Sequence, residues 1–318
     1  MRAIMASRIG APDVLEPVEL PVPQPKPDEL RVDVHVIGVT WMDTQIRMGK
    51  GPAVYAAEPP FIPGGAVAGS VGAIGTRVDR GWLGTRVVAR ANGGGYVQNA
   101  ICSPENTFRV PDGLDLQDAM ALMDDGSTAL ALLEKTPVGA GDRVLVAPGV
   151  GGLGHVLVQL ALAAGATVVA AVRGAEKLAA ARSLGAEAVD YSVPNWPDQV
   201  RQIADGGVEA AYDGVGGAIG AASVDLLVDG GRFSGYGMTS GAQTTIGAAD
   251  RQRLTVCDMS QLPEFWSDNP RRVQQILREA AAGRVRPLIG QTYPLAEAVR
   301  AHEDIEARRF IGKSLLLP

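Results

Sequence analysis

The sequence predicts an α/β protein: a β-rich front part followed by a doubly wound parallel sheet. Residues 143–172, RVLVAPGVGGLGHVLVQLALAAGATVVAAV, read as strand, glycine turn, helix and strand, the βαβ order of a dinucleotide-binding unit. Residues 1–115 instead hold short Val-rich runs broken by Gly and Pro. From about residue 116, strand-like and helix-like segments alternate, which favours a parallel sheet with helices on both faces.

In the front part, residues 30–36, 67–74, 85–89 and 96–102 have strand character, bounded by turn residues. Pro21, Pro23, Pro25 and Pro27 predict an extended connector. A helix is predicted over LQDAMALMDDGSTALALLEK, starting near Asp115 or Gln117. In the glycine turn, Gly149 allows the tight bend and Gly151 lets backbone approach a phosphate. Gly154 lets the helix pack on the strand, and Gly152 joins them at the helix N-terminus, whose N–H groups suit an anion. Further on, Val208–Tyr212 reads as a strand, Ala218–Leu227 as a helix and residues 231–237 as a strand and loop. PRRVQQILREAAAG (270–283) has one apolar face, Val273, Ile276, Leu277 and Ala280, as an amphipathic helix does. FIGKSLLLP closes the chain as a strand.

Composition narrows the function. The chain has 318 residues, enough for two domains, with 46% hydrophobic and 20% charged residues and a net charge of −6. It has no basic stripe, so nucleic acid is excluded as an expected partner. No apolar run reaches the ~18–20 residues a membrane helix needs, and the N-terminus lacks the apolar core of a signal peptide; a cytoplasmic location is expected. Cys102 and Cys257 are the two cysteines, with neither metal spacing nor a disulfide framework.

The second strand of the βαβ unit ends Ala-Ala-Val-Arg173-Gly. It lacks the acid that binds a ribose 2′-OH. Arg173, with Lys177 and Tyr191 nearby, suits a 2′-phosphate instead, which points to NADP(H).

Several segments then resemble a known family. They are GVTWMDTQIRMG (38–49), PFIPGGAVAGSVGAIG (60–75), GYVQNAICSPENTFRVPDGL (95–114), GDRVLVAPGVGGLGHVLVQLA (141–161), EKLAAARSLGAEAVDY (176–191), YDGVGG (212–217) and RFIGKSLLLP (309–318). The chain resembles the medium-chain dehydrogenase/reductase superfamily, in its zinc-free quinone oxidoreductase (zeta-crystallin-like) branch. The resemblance implies a GroES-like β-rich catalytic domain over residues 1–115, completed by 266–318, and a doubly wound Rossmann domain over 116–265. It places the active site in the interdomain cleft. It also implies a homodimer joined at the Rossmann sheet edge, supplied by residues 233–246. Zinc-dependent relatives have metal ligands where this chain has Thr40, Gly65-Ala66 and Asp124, so no metal is expected. The zinc-free branch usually has Asn at the position of Thr40 and Glu at that of Ala66.

Hydride transfer leaves negative charge on the acceptor oxygen, which needs a donor or a positive charge. The candidate catalytic residues are Thr40 and Tyr55 as donors and Asp124 as an acid or base. Asp43 and Arg47, four apart, are expected to pair, and Trp41 to shape the pocket. The candidate cofactor contacts are Thr128, Gly149, Gly151, Gly152, Gly154, Arg173, Lys177, Tyr191, Gly237 and Lys313; Thr128 and Lys313 come from the resemblance alone. The expected activity is NADPH-dependent reduction of a small-molecule substrate, a quinone or an α,β-unsaturated carbonyl. The alternatives are a biosynthetic tailoring enzyme using Asp124, and a non-catalytic NADPH-binding protein.

Overall fold

The chain begins with an antiparallel pair that the sequence patterns leave unassigned, β1 (Arg2–Ala6) and β2 (Leu15–Glu19). The structure is a computed structural model that describes residues 1–51 and 53–318. The proline-rich stretch after β2 forms no helix or strand. Next come β3 (Leu30–Val39), α1 (Trp41–Arg47), β4 (Ala66–Ile74), β5 (Arg86–Ala91), β6 (Asn99–Arg109) and α2 (Leu116–Lys135). The middle of the chain runs β7 (Arg143–Ala147), α3 (Gly152–Ala163), β8 (Thr167–Val172), α4 (Ala175–Ser183), β9 (Glu187–Asp190), α5 (Trp196–Ile203), β10 (Val208–Asp213), α6 (Gly217–Asp225) and β11 (Leu227–Gly235). It continues with α7 (Ala248–Arg253), β12 (Thr255–Cys257) and α8 (Leu262–Phe265). The last elements are α9 (Asn269–Ala281), β13 (Ile289–Pro294), α10 (Ala298–Glu306) and β14 (Lys313–Leu317).

Two compact units result: Met1–Asp124 with Val273–Pro318, and Asp125–Arg272. The divisions fall inside α2 and α9 and not near residues 115 and 265.

The first unit holds a sheet ordered β13-β14-β3-β4-β5-β6, and β6 also pairs with β3. β6 is longer than its sequence pattern predicts and starts later, because it serves two neighbours. Residues 99–102 pair with β3, and residues 102–109 pair with β5 across a register shift at Ala89/Ala91. Tyr96 and Val97 are turned instead toward β1, where Val97 bridges Ala3. The core packs Leu30, Val32, Val71, Val87 and Leu316.

The second unit holds a sheet ordered β12-β11-β10-β7-β8-β9, parallel throughout. β7 and β8 are buried almost end to end, as strands covered on both faces are. Read from β9, this is the doubly wound order whose direction reverses between β7 and β10, where such sheets bind ligands beyond the strands' carboxyl ends. β11 begins earlier than its pattern predicts, because Leu227 already pairs with Val208 before the register slips around Asp229-Gly230-Gly231. The sheet edge differs too. Phe233 lies in an inner strand, and β12 is the edge beyond it. The short α5 escapes a pattern search because only Trp196 and Val200 are buried in it. Among the described residues, no helix is long and apolar enough to cross a membrane.

Candidate active site

In the second unit, the predicted nucleotide residues gather at the carboxyl ends of the strands. The turn after β7 is dictated by backbone crowding. A Cβ on Gly154 would stand 1.8 Å from the Pro148 carbonyl oxygen, and one on Gly149 would stand 2.5 Å from the Ala170 Cβ. A Cβ on Gly151 would meet only a Pro148 ring atom, at 3.7 Å. The protein's own packing therefore requires glycine at 149 and 154 but leaves the space over Gly151 open. Gly151 is also the N-cap of α3, and no side chain caps that helix. Its first-turn N–H groups and the helix dipole face that space with positive potential. A pyrophosphate fits this arrangement.

The loop after β10 is tied to the same place. Gly214 donates to the Ala147 carbonyl at 2.7 Å, and Tyr236 to the Asp213 carbonyl at 2.8 Å. The buried Asp213 carboxylate accepts from Val215 (2.9 Å) and Gly216 (3.0 Å), and from the Thr244 hydroxyl. Burial nonetheless raises its pKa above the ordinary range. Gly237 follows β11, where a Cβ would stand 2.8 Å from the Gly214 oxygen. Thr128 lies partly exposed on the second unit's part of α2.

At the end of β8, the Arg173 guanidinium lies over the Tyr191 ring, 5.6 Å from its centroid. Lys177 follows in α4. The sequence pattern finds no acid at this strand end, but the fold brings one from the next strand. Asp190 closes β9, and its carboxylate accepts from Gly174 N–H (3.0 Å), Ser192 N–H (2.8 Å) and Ser192 Oγ (2.6 Å). Partial burial pushes its pKa up, but these bonds and the Arg173 charge prevail and hold it below the usual range. Asp190 is thus engaged by protein donors, while the cation over Tyr191 remains exposed.

In the first unit, Thr40 is the N-cap of α1. Its hydroxyl accepts from Asp43 N–H (3.2 Å) and donates to Asp43 Oδ2 (2.9 Å), which also accepts Thr40 N–H (2.7 Å). This reciprocal capping box corrects the expected Asp43–Arg47 pair: Asp43 turns back to the helix end. Arg47 instead points into the protein with no exposed surface. It donates to the Gly10 carbonyl (3.1 Å), pairs with Glu306, and lies 3.4 Å from His302 Nδ1. That contact makes Nδ1 the acceptor, so Nε2 carries the proton and donates to the Tyr96 oxygen at 2.9 Å. Burial and the Arg47 charge push the His302 pKa down to about 3. Burial pushes that of Asp43 up to about 6, against the Thr40 hydrogen bonds and the Lys313 charge; the Asp124 charge adds to the rise.

Asp124 is not an isolated carboxyl. Its Oδ1 lies 2.5 Å from Arg90 Nη2, with side-chain exposures of 23% and 29%. Lys313, at the start of β14, is buried in this unit, where its charge acts on Asp43. Tyr55 lies on an exposed 3-10 turn, Ala53–Tyr55, apart from this cluster. Sequence reasoning missed Arg90, His302, Tyr96 and Asp190. Their partners are distant in the chain, except for Asp190, which stands beside Tyr191 in the family-like segment 176–191.

The fold and these sites define a class: a GroES-like β-rich unit joined to a Rossmann unit. Comparison with known proteins agrees. Residues 26–112 match the alcohol dehydrogenase GroES-like domain, and residues 152–282 match the zinc-binding dehydrogenase family. A quinone oxidoreductase of Pseudomonas aeruginosa is 34% identical over 333 residues, spanning 99% of this chain and 100% of that protein. A 2-haloacrylate reductase of Burkholderia sp is 33% identical over 328 residues, spanning 99% and 98%. The structure of Escherichia coli quinone oxidoreductase complexed with NADPH matches with a TM-score of 0.90 at 28% identity, covering 100% of both chains. The chain belongs to the medium-chain dehydrogenase/reductase superfamily, in its zinc-free quinone oxidoreductase branch. Although one matching family is named for zinc, no group of three or more His, Cys, Asp or Glu among the described residues could hold a metal ion.

Proposed function

We propose that the protein is an NADPH-dependent oxidoreductase that passes a hydride to a quinone or an α,β-unsaturated carbonyl. The observation that carries this reading is the open backbone at Gly151 ahead of an uncapped α3, at the point where the strand order reverses. The E. coli relative solved with NADPH supports it.

In this reading, the backbone of Gly149, Gly151, Gly152 and Gly154 holds the pyrophosphate. Arg173 and Lys177 neutralise the ribose 2′-phosphate, and the Tyr191 ring keeps the Arg173 guanidinium in place. Thr128 and Gly237 serve the nicotinamide side. When bound, the reduced nicotinamide supplies the hydride. Thr40 faces the acceptor with its hydroxyl geometry fixed by Asp43. Lys313 acts on Asp43 and belongs with the acceptor-side cluster. The engagement of Asp124 by Arg90 favours hydride transfer over an acid–base tailoring reaction at that carboxyl.

The test is the nicotinamide absorbance band, followed with quinones and enones as acceptors. Oxidation of NADPH by one acceptor class is the expected result. Tight NADPH binding with no acceptor reduced would contradict the reductase reading.

A further inference from the structure

We infer that Arg90 is a catalytic residue whose guanidinium stabilises the oxygen anion formed on the hydride acceptor. The inference rests on the reductase reading above. In that reaction the C–H electron pair of the reduced nicotinamide becomes a C–H bond at the acceptor carbon. The acceptor's π pair moves to its oxygen, and the resulting anion is neutralised by a proton from water. The anion forms before the proton arrives, so a fixed positive charge at the oxygen lowers the barrier.

Arg90 has the placement this task needs. It stands on β5 opposite Ala66 of β4. The neighbouring residue is Gly65, and a Cβ there would have only Arg90 Nη1 within 4 Å, at 4.0 Å. The space beside the guanidinium is therefore left clear by a missing side chain. Asp124 anchors the group at 2.5 Å from Nη2, yet the Arg90 side chain keeps 29% of its surface exposed. A guanidinium presents five N–H donors in a rigid fork, more than one carboxylate oxygen can engage.

The other two cations of the cluster are poorly placed. Arg47 is fully buried and bound to Glu306, His302 and the Gly10 carbonyl. Lys313 is 5% exposed. Arg90 is also linked to Thr40: its partner Asp124 acts on Asp43, which holds the Thr40 hydroxyl. An oxygen between Thr40 and Arg90 would meet one neutral and one charged donor.

The experiment uses 4-nitrophenol as a stand-in for the anionic acceptor, because its phenolate absorbs in the visible. Titrated with the intact wild-type protein, bound nitrophenol should ionise about one pH unit lower than free, a roughly tenfold preference for the anion. Arg90→Gln should abolish that shift, and Arg90→Lys, which keeps a positive charge near Asp124, should retain part of it. In turnover, Arg90→Gln should lower kcat by about 10²–10³-fold with NADPH affinity unchanged. No ionisation shift in the wild type, or an undiminished shift in Arg90→Gln, overturns the role of Arg90. If the wild type reduces none of the acceptors with NADPH, the reductase reading falls separately, and the nitrophenol titration still decides whether Arg90 binds an oxyanion. Should Arg90→Gln fail to fold, Arg90→Lys decides instead: a smaller shift than wild type supports the role, and an equal one overturns it.

Discussion

The glycine turn of the second unit and the charged cluster of the first are built in opposite ways. The turn is backbone: its geometry follows from what Gly149 and Gly154 lack, within six consecutive positions. The cluster is side chains brought from far apart: Arg47 meets Glu306 across 259 positions, His302 meets Tyr96 across 206, and Arg90 meets Asp124 across 34. The turn can be read from a short string, while the cluster exists only once the sheet of the first unit has formed. The turn also has one requirement per residue. The cluster shares its charges, so removing one member leaves others buried without a counter-ion.

The largest effect expected from breaking this comparison lies in the cluster. Arg47→Met leaves Glu306 and His302 facing an apolar side chain, and breaking a buried ion pair in this way costs about 3–5 kcal/mol. Urea unfolding should show it as a lower midpoint with an unchanged slope. A midpoint equal to wild type would mean that the cluster does not hold α1 to α10.

The turn should separate two kinds of damage. Gly154→Ala drives a methyl into the Pro148 carbonyl, a clash that costs about 1–3 kcal/mol or more and lowers Tm. Gly151→Ala meets only ordinary contact, so Tm should stay while NADPH affinity falls by about tenfold or more, or ~1.4 kcal/mol. Equal losses of Tm in the two variants would show that both glycines are there for packing alone.

A smaller effect is expected from pH. Folded His302, with its pKa near 3, stays neutral while the unfolded chain takes up a proton below about 6.5. Its contribution is complete above 6.5 and is lost as pH falls toward 3. Asp43 has the opposite sign. Folded, it keeps its proton up to about 6, whereas unfolded it keeps it only below about 3.9. It weakens the fold above 6, and that loss is recovered as pH falls. Between about 6 and 4 the two slopes oppose, each at most ~1.4 kcal/mol per pH unit. Relative to wild type, His302→Gln should gain stability on acidification and Asp43→Asn should lose it. Parallel pH profiles for all three proteins would contradict these environments.

Much of the fold was legible in the sequence where requirements are local. The βαβ unit, the helix over residues 269–281 and the closing strand all follow from period and punctuation. β1 and β2 were missed because five-residue strands with few buried positions leave little periodicity. At the site, Arg173 and Tyr191 were found as residues, but their stacking was not readable from spacing. Asp43 was given the wrong partner because spacing alone cannot tell a helix-surface pair from a capping box. Asp124 was read without Arg90, since nothing local to either residue names the other.

The most direct test of the account is a fluorescence titration of wild type and Arg173→Ala with NADPH and NADH. The account predicts that wild type prefers NADPH and that the substitution removes about tenfold of that preference, ~1.4 kcal/mol, leaving NADH affinity unchanged. Failure of wild type to bind either nucleotide, or a preference for NADPH unmoved by Arg173→Ala, would contradict it.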